Sequence, residues 1–271
     1  MRLSTVTLER DGQRLTLQGM IHLGTYALYR KLQRELDRER KLGATLFFEM
    51  IMVSGEPADD LSEIARDLLA FFRPLPYGTK RIPATRKVPY FASQKNQIDY
   101  RLDEDINADS SAEELLRLAD QYGVFAHPRM QRPLRWLRLF LRLVRSRQYN
   151  EADRAHTAHV PQTSSSQKKR VSIVVTALQL LIGCLVRWLM LRSHARVTAG
   201  IDPVLDPVLL TERNHIAVDT IEQYFAEQGV QRGYVHYGEA HIPGLVELFE
   251  QRGWQVAERQ QRNLAWYVLC F

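Results

Sequence analysis

Apolar and polar positions alternate over residues 2–8 and again over 14–18, on either side of Asp11-Gly12. A period of two around Asp-Gly predicts a β-hairpin with a tight turn. The period then lengthens. Leu28, Leu32 and Leu36 recur among many charges, which predicts an amphipathic helix over 25–42 closing at Gly43. Residues 44–53, ATLFFEMIMV, form an apolar run broken by Glu49 and read as a buried strand. Leu61, Ile64, Ala65, Leu68, Leu69 and Phe72 mark one side of a helix over 59–72, stopped by Pro74. Residues 73–97, rich in proline and basic side chains, read as irregular surface. A short strand is expected around 100–108. Ser110 and Ser111 stand three residues before Glu113 and Glu114, a capping-box spacing that starts a helix ending at Gly123. After residue 203 the alternation resumes: a helix over 212–228 stopped by Gly229, a strand over 233–237, a helix over 243–252, a strand over 254–258 and a terminal strand over 264–270.

One unit occurs twice. LTLQGMIHLG (15–24) is followed by a helix, Gly43 and an apolar strand ending on Glu49; YVHYGEAHIPG (234–244) is followed by a helix, Gly253 and a strand ending on Glu258. Each reads strand, Gly-x-x-His, helix, Gly, strand, Glu. About 0.4 copies of Gly-x-x-His are expected by chance in a chain of this composition. The expected fold is therefore α/β, a mixed sheet built from two related β-turn-α-β halves. A glycine at a strand end lets the backbone bend sharply, and the histidine then falls at the carboxyl edge of a sheet, where open α/β folds place their sites. Neighbouring strands would bring His22 and His241 together, with Glu49 facing the same crevice. Two imidazoles and a carboxylate are a workable ligand set for Zn, Mn, Co or Fe. In the plainer alternative each histidine only hydrogen-bonds within its turn and Glu49 pairs with a buried arginine. His215, next to Arg213, is a candidate supporting residue, His236 reads as core or surface, and His127, His156, His159 and His194 lack ligand spacing.

Composition narrows the picture. The chain has 271 residues, 45% hydrophobic and 25% charged, which fits a folded protein and excludes a fully disordered one. Mean hydropathy of −0.30 excludes a polytopic membrane protein. Cys184 and Cys270 cannot form a disulfide framework, so a reducing compartment is expected, and the N-terminus MRLSTVTLERDG has no apolar signal region. The net charge of +6 is unevenly spread: residues 129–196 hold 14 basic side chains against Glu151 and Asp153, so the remainder is acidic. The expected organisation is one domain overall, with 1–125 and 201–271 as two halves of an α/β core and 126–200 as a basic helical insertion between them.

The paired Gly19-Met20-Ile21-His22 and Gly238-Glu239-Ala240-His241, the Glu49 ending an apolar strand, and Glu212-Arg213-Asn214 opening a helix resemble the TraB/PrgY/GumN family. That family belongs to the wider Tiki-like superfamily, related to the erythromycin esterase and ChaN-like groups. The resemblance covers roughly 15–60 and 205–265, more specifically in the second part. It implies two related halves with one site between them, and a metal-dependent hydrolase of the peptidase kind with His22, Glu49, Arg213 and His241 as functional positions. Some branches of the family have associations with less defined chemistry, so a binding protein that sequesters a peptide, metal or haem is the alternative. In the hydrolytic reading His22 and His241, with Glu49, hold a divalent metal. Glu49 or Glu239 takes a proton from water, and Arg213 stabilises an oxyanion or grips a substrate carboxylate. The plainer roles are a structural ion pair for Arg213 and a helix cap for Asn214.

The basic segment bears on location. Arg135, Arg138, Arg142 and Arg145 share one helical face and suit an anionic membrane surface or a partner groove. Residues 171–191 are long enough to span a bilayer, but Ser172, Thr176, Gln179, Gly183 and Arg187 form a polar stripe. His22 and Glu49 precede this segment while Arg213 and His241 come after it, so a single crossing would split the site. The expectation is a helical hairpin of 134–145 and 171–191 with 146–170 as a mobile tip. It would cover the core, form a homodimer contact or touch a membrane, on a cytoplasmic protein with peripheral membrane association. Nucleic acid is a poor fit, because no nucleic-acid-binding pattern accompanies the arginines and aromatics near them are sparse.

Overall fold

A computed structural model describes residues 2–55, 59–72, 92–131 and 203–263. The expected hairpin of 134–145 and 171–191, the segment 73–91 and the terminal strand over 264–270 lie outside the described residues.

The fold is α/β, built on a six-stranded mixed sheet in the order β6-β4-β7-β2-β1-β8. Strands β1 (Arg2–Arg10) and β2 (Gln13–Met20) form the antiparallel hairpin, with Arg10 opposite Gln13. Asp11 and Gly12 both take positive φ, 49° and 80°, as a two-residue turn matching strand twist requires. A two-residue strand β3 (Leu23–Gly24) precedes α1 (Tyr26–Lys41), which is capped by the Thr25 hydroxyl accepting from Leu28 N–H. Strand β4 (Thr45–Phe48) and helix α2 (Glu63–Phe72) come next, then β5 (Ala92–Ser93), a single turn α3 (Gln94–Gln97) and β6 (Ile106–Asn107). Helix α4 (Ala112–Gln121) is capped by Ser111, whose hydroxyl accepts from Glu114 N–H at 3.0 Å. After a π-helical turn (Pro207–Thr211) come α5 (Glu212–Glu227), β7 (Arg232–Gly238), α6 (Ile242–Gln251) and β8 (Gln255–Asn263).

Strand β7 inserts between β2 and β4 and is parallel to both; β6 is parallel to β4. The β2-α1-β4 and β7-α6-β8 connections cross the sheet in opposite directions. Right-handed crossovers in opposite senses put their helices on opposite faces. Helix α1 packs Leu28, Leu32 and Leu36 against Leu3, Leu46 and Tyr234. Helices α5 and α6 pack Ile221, Leu245 and Phe249 against Leu17, Phe47 and Val235 on the other face.

Four expectations change. The apolar run over 44–53 leaves the sheet after Phe48; Met52 keeps one isolated bridge to Ser111. The strand around 100–108 shrinks to Ile106–Asn107, since Arg101 to Asp105 turn back on themselves through Asp105 N–H donating to Arg101 O. Residues 92–97 are ordered into β5 and α3, because β5 pairs with β3 and Gln94 N–H bonds His22 O. The strand over 254–258 runs on to Asn263, held along β1 by backbone pairing despite its polar sequence. Among the described residues no helix is long and apolar enough to cross a membrane.

Candidate functional site

Four neighbouring parallel strands, β6, β4, β7 and β2, end at one edge of the sheet, and each delivers a side chain there. Register sets the placement: Met20 pairs with Gly238, and Phe48 lies beside both His236 and Asn107. Glu49 comes directly after β4, its N–H still bonded to His236 O at 3.0 Å. Asp109 lies two residues beyond β6. His22 and His241 leave β2 and β7 through the two Gly-x-x-His turns. Arg213 reaches this edge from the first turn of α5.

The centre is the Arg213 guanidinium. Its Nε donates to Asp109 Oδ1 at 2.8 Å and its Nη2 to Asp109 Oδ2 at 2.7 Å, a bidentate pair. Nη2 also donates to Glu49 Oε1 at 2.6 Å, and Nη1 to Leu209 O at 3.2 Å. Nη1 lies 3.4 Å from His241 Nε2. Oxygen atoms thus take four of the five N–H groups, and the fifth faces the His241 Nε2 lone pair. Glu49 Oε2 accepts from the Gly238 N–H. His241 Nε2 stands 3.6 Å, and His22 Nε2 3.9 Å, from the same Glu49 Oε1.

Each imidazole is held from behind by a carboxamide. His241 Nδ1 lies 2.7 Å from Asn214 Oδ1, and His22 Nδ1 lies 3.0 Å from Gln94 Oε1. With the Asn214 oxygen facing it, His241 Nδ1 carries the proton. Gly244 permits the first contact: a Cβ there would stand 2.5 Å from Asn214 Nδ2.

The cluster is buried except at His22. The Glu49, Arg213 and His241 side chains are 4–7% exposed, and that of His22 is 70% exposed. Burial pushes the Glu49 carboxyl up, but His241, Arg213, His22 and the Gly238 N–H together outweigh it and hold it below the ordinary carboxylate range. Burial pushes the Asp109 carboxyl up, and Arg213 offsets only part of this. Burial works against the Arg213 charge, yet Asp109 and Glu49 more than reverse it. Burial drives the His241 imidazole down to about 4; Glu49 opposes this, while Arg213 and His22 add to it. With His241 neutral, Glu49 and Asp109 share the one Arg213 guanidinium.

The four positions His22, Glu49, Arg213 and His241 meet at this edge; Glu239 does not. Its carboxylate accepts from Ser4 Oγ at 2.6 Å and Ser4 N–H at 2.9 Å, beside β1. It lies so close over β2 that a Cβ at Gly19 would stand 1.8 Å from Glu239 Oε2. Glu239 is therefore not placed to take a proton at the site, contrary to expectation. The role of Arg213 also changes. With four N–H groups bonded to oxygens and the fifth aimed at His241 Nε2, it grips no substrate carboxylate or oxyanion as placed; it positions Glu49. The plainer alternative is thus realised as a contact, since Glu49 does pair with a buried arginine. Asn214 lies within α5 and orients His241 rather than capping the helix. His215 is exposed, and His236 is fully buried core.

Asp109 and Gln94 are members of the site that the sequence pattern does not reveal. Asp109 comes after a strand too short to show a period, and Gln94 lies in a stretch that reads as irregular. A lone polar residue in such a setting carries no sequence signal.

The donor set suits a divalent cation, two imidazoles and an anionic carboxylate, once the His241 Nε2 lone pair turns from Arg213 Nη1 to the ion. Two bonds of ~2.1 Å to one ion span at most ~4.2 Å, which the 3.6 and 3.9 Å separations respect. As placed, no three His, Cys, Asp or Glu side chains among the described residues are gathered tightly enough to hold a metal ion. Two cavities, about 270 Å³ beneath α1 and about 670 Å³ beside the hairpin turn, are lined by other residues. No protein-family model, curated protein or solved structure matches this chain.

Proposed function

We propose that the protein is a metal-dependent hydrolase of peptides or small esters, with His22, His241 and Glu49 holding a divalent ion, as in the TraB/Tiki-like resemblance. One observation carries this reading: two imidazole Nε2 lone pairs and a carboxylate oxygen converge at the carboxyl edge of adjacent parallel strands, with each Nδ1 fixed from behind. Metal-ligating histidines usually donate their other ring N–H to a fixed oxygen acceptor, a place that a carboxamide oxygen can fill. Zn, Mn, Co or Fe bound there would supply an acidified water and polarise a carbonyl.

The chain's own groups divide the remaining work. Arg213, anchored by Asp109, keeps Glu49 ionised and still. Glu49, with both oxygens engaged and its carboxyl held low, suits binding a cation better than taking a proton. His241 stays neutral at physiological pH, and its Nε2 lone pair would turn from Arg213 Nη1 to the ion. His22 is the exposed member, so substrate approaches from its side. The test is metal analysis of the purified protein with peptide and ester hydrolysis assays. Bound metal and hydrolysis, both lost in His22→Ala and His241→Ala, are expected. Absence of metal together with unchanged hydrolysis in both variants would sink the reading.

The closure of the cluster favours a second reading, a protein that sequesters a peptide, metal or haem without turnover. A ligand co-purifying with the protein, with no hydrolysis, would select it. We also place the protein at an anionic membrane surface, a reading supported by the sequence pattern of 134–145 and 171–191. Flotation with anionic liposomes that fades at high salt is the expected result.

A further inference from the structure

His22 is the exposed member of the cluster, yet its ring is tied to the deepest part of the sheet. Its Nδ1 meets Gln94 Oε1 at 3.0 Å, and Gln94 Nε2 donates to the Tyr100 hydroxyl at 3.0 Å. That hydroxyl lies 3.3 Å from His236 Nδ1 in the middle of β7. Gln94 is fastened to His22 a second time, its backbone N–H donating to His22 O at 3.0 Å. Tyr100 is stacked on Phe48, with ring centroids 4.6 Å apart, and its ring meets His236 edge-on.

We propose that Gln94, Tyr100 and His236 are positioning residues, a relay that fixes the His22 proton on Nδ1 and leaves the Nε2 lone pair facing Glu49. The inference rests on the reading of His22 as a metal ligand for its purpose, but not for its geometry.

Each hydrogen bond in the chain fixes the direction of the next. A carboxamide presents a donor at one end and an acceptor at the other, and nothing within Gln94 decides which end faces His22. Tyr100 decides it. Its hydroxyl has one proton; when that proton goes to His236 Nδ1, or to Met20 Sδ at 3.7 Å, the oxygen can only accept from Gln94. The Gln94 amide nitrogen must then face Tyr100, and Oε1 must face His22. A carbonyl oxygen only accepts, so His22 must present Nδ1–H.

His236 is suited to start such a chain. It is fully buried, and burial, with Arg40 nearby, keeps the ring neutral by pushing it down to about 3. A neutral ring accepting at Nδ1 carries its proton on Nε2. That Nε2 is buried without a hydrogen-bond partner among the described residues. A side chain serving only to fill this space would not need a polar atom left bare. The outcome mirrors His241, where Asn214 Oδ1 does the same directly.

The test reads the tautomer itself. In full-length protein with ¹⁵N-labelled histidine, the ring nitrogen shifts of His22, assigned with His22→Ala, report which nitrogen is protonated. The wild type is expected to show one Nδ1–H form. Tyr100→Phe, which keeps the ring and removes the hydroxyl, and Gln94→Leu should both yield a mixture. Gln94→Glu, whose ionised carboxylate can only accept, should restore the single form. Titration calorimetry with Zn²⁺ should show affinity about tenfold weaker in Tyr100→Phe and Gln94→Leu and near wild type in Gln94→Glu. Thermal unfolding identifies any variant that fails to fold, and Tyr100→Phe preserves the packing. An unchanged single tautomer in both disrupting variants overturns the relay. If Zn²⁺ binds through His22 in that case, the metal reading survives alone. If the tautomer responds while Zn²⁺ binds neither wild type nor variants, the metal reading fails and the relay stands.

Discussion

The two Gly-x-x-His turns share a pattern and leave neighbouring parallel strands in register, yet one histidine is sealed and the other open. His241 stands immediately before α6, packed edge-on against Tyr237 and bonded to Asn214. His22 is succeeded by the short β3 strand before α1 begins, and 70% of its side chain reaches solvent. The turn is local, but exposure is set by the element next in the chain and by which helix leans over the histidine. A repeated motif can therefore supply one rigid and one accessible group to the same centre.

The largest expected effect tests the sealed side. Arg213→Met leaves Glu49 and Asp109 buried without their cation and should lower stability by ~3–5 kcal/mol in urea unfolding. A loss below ~1 kcal/mol would mean that charge does not hold this half. Next, the two histidines should part company. His241→Ala strands Asn214 Oδ1 and should cost ~2–3 kcal/mol, while His22→Ala should stay within ~0.5 kcal/mol. Equal losses would break the comparison.

Acid should find the same asymmetry. The folded His241 imidazole titrates near 4 against an ordinary 6.5, so between those values the unfolded chain takes up a proton that the folded one refuses. Stability should fall as pH drops from about 6.5 toward 4. His236 acts in the same direction, to lower pH. Glu49 titrates below its ordinary 4.5, so its contribution is present above that pH and is lost as pH falls through its folded value. Urea midpoints across this range should lose part of their slope in His241→Gln and keep it in His22→Ala. The smallest effect concerns Glu239. Glu239→Gln can still bond Ser4 and should change stability by less than ~1 kcal/mol, with hydrolysis unaltered; a large loss of activity would return it to the site.

Local order was readable where it is dictated locally. The Asp11-Gly12 turn, the α1 leucines and the Ser111 cap each depend on residues within a few positions, and each forms. The sheet order was not readable, because inserting β7 between β2 and β4 is decided by pairing across some two hundred residues. The far half of β8 escaped for another reason. Its ERQQRN stretch has little apolar content, since an edge strand with polar flanks is held by backbone bonds to β1. Of the centre, the histidines and Glu49 were visible because they recur or interrupt an apolar run. Asp109, which orders Arg213, and Gln94, which orders His22, act through single contacts made only after folding.

The turns beyond α4 and the approach to α5 meet in one cluster. Met130 packs with Val204 and Leu205 around Ala119, Val124 and Val208. Leu209, whose carbonyl accepts from Arg213 Nη1, stands one residue beyond Val208. The cluster therefore works as a buttress for the guanidinium: from outside the site it braces the backbone against which Arg213 leans.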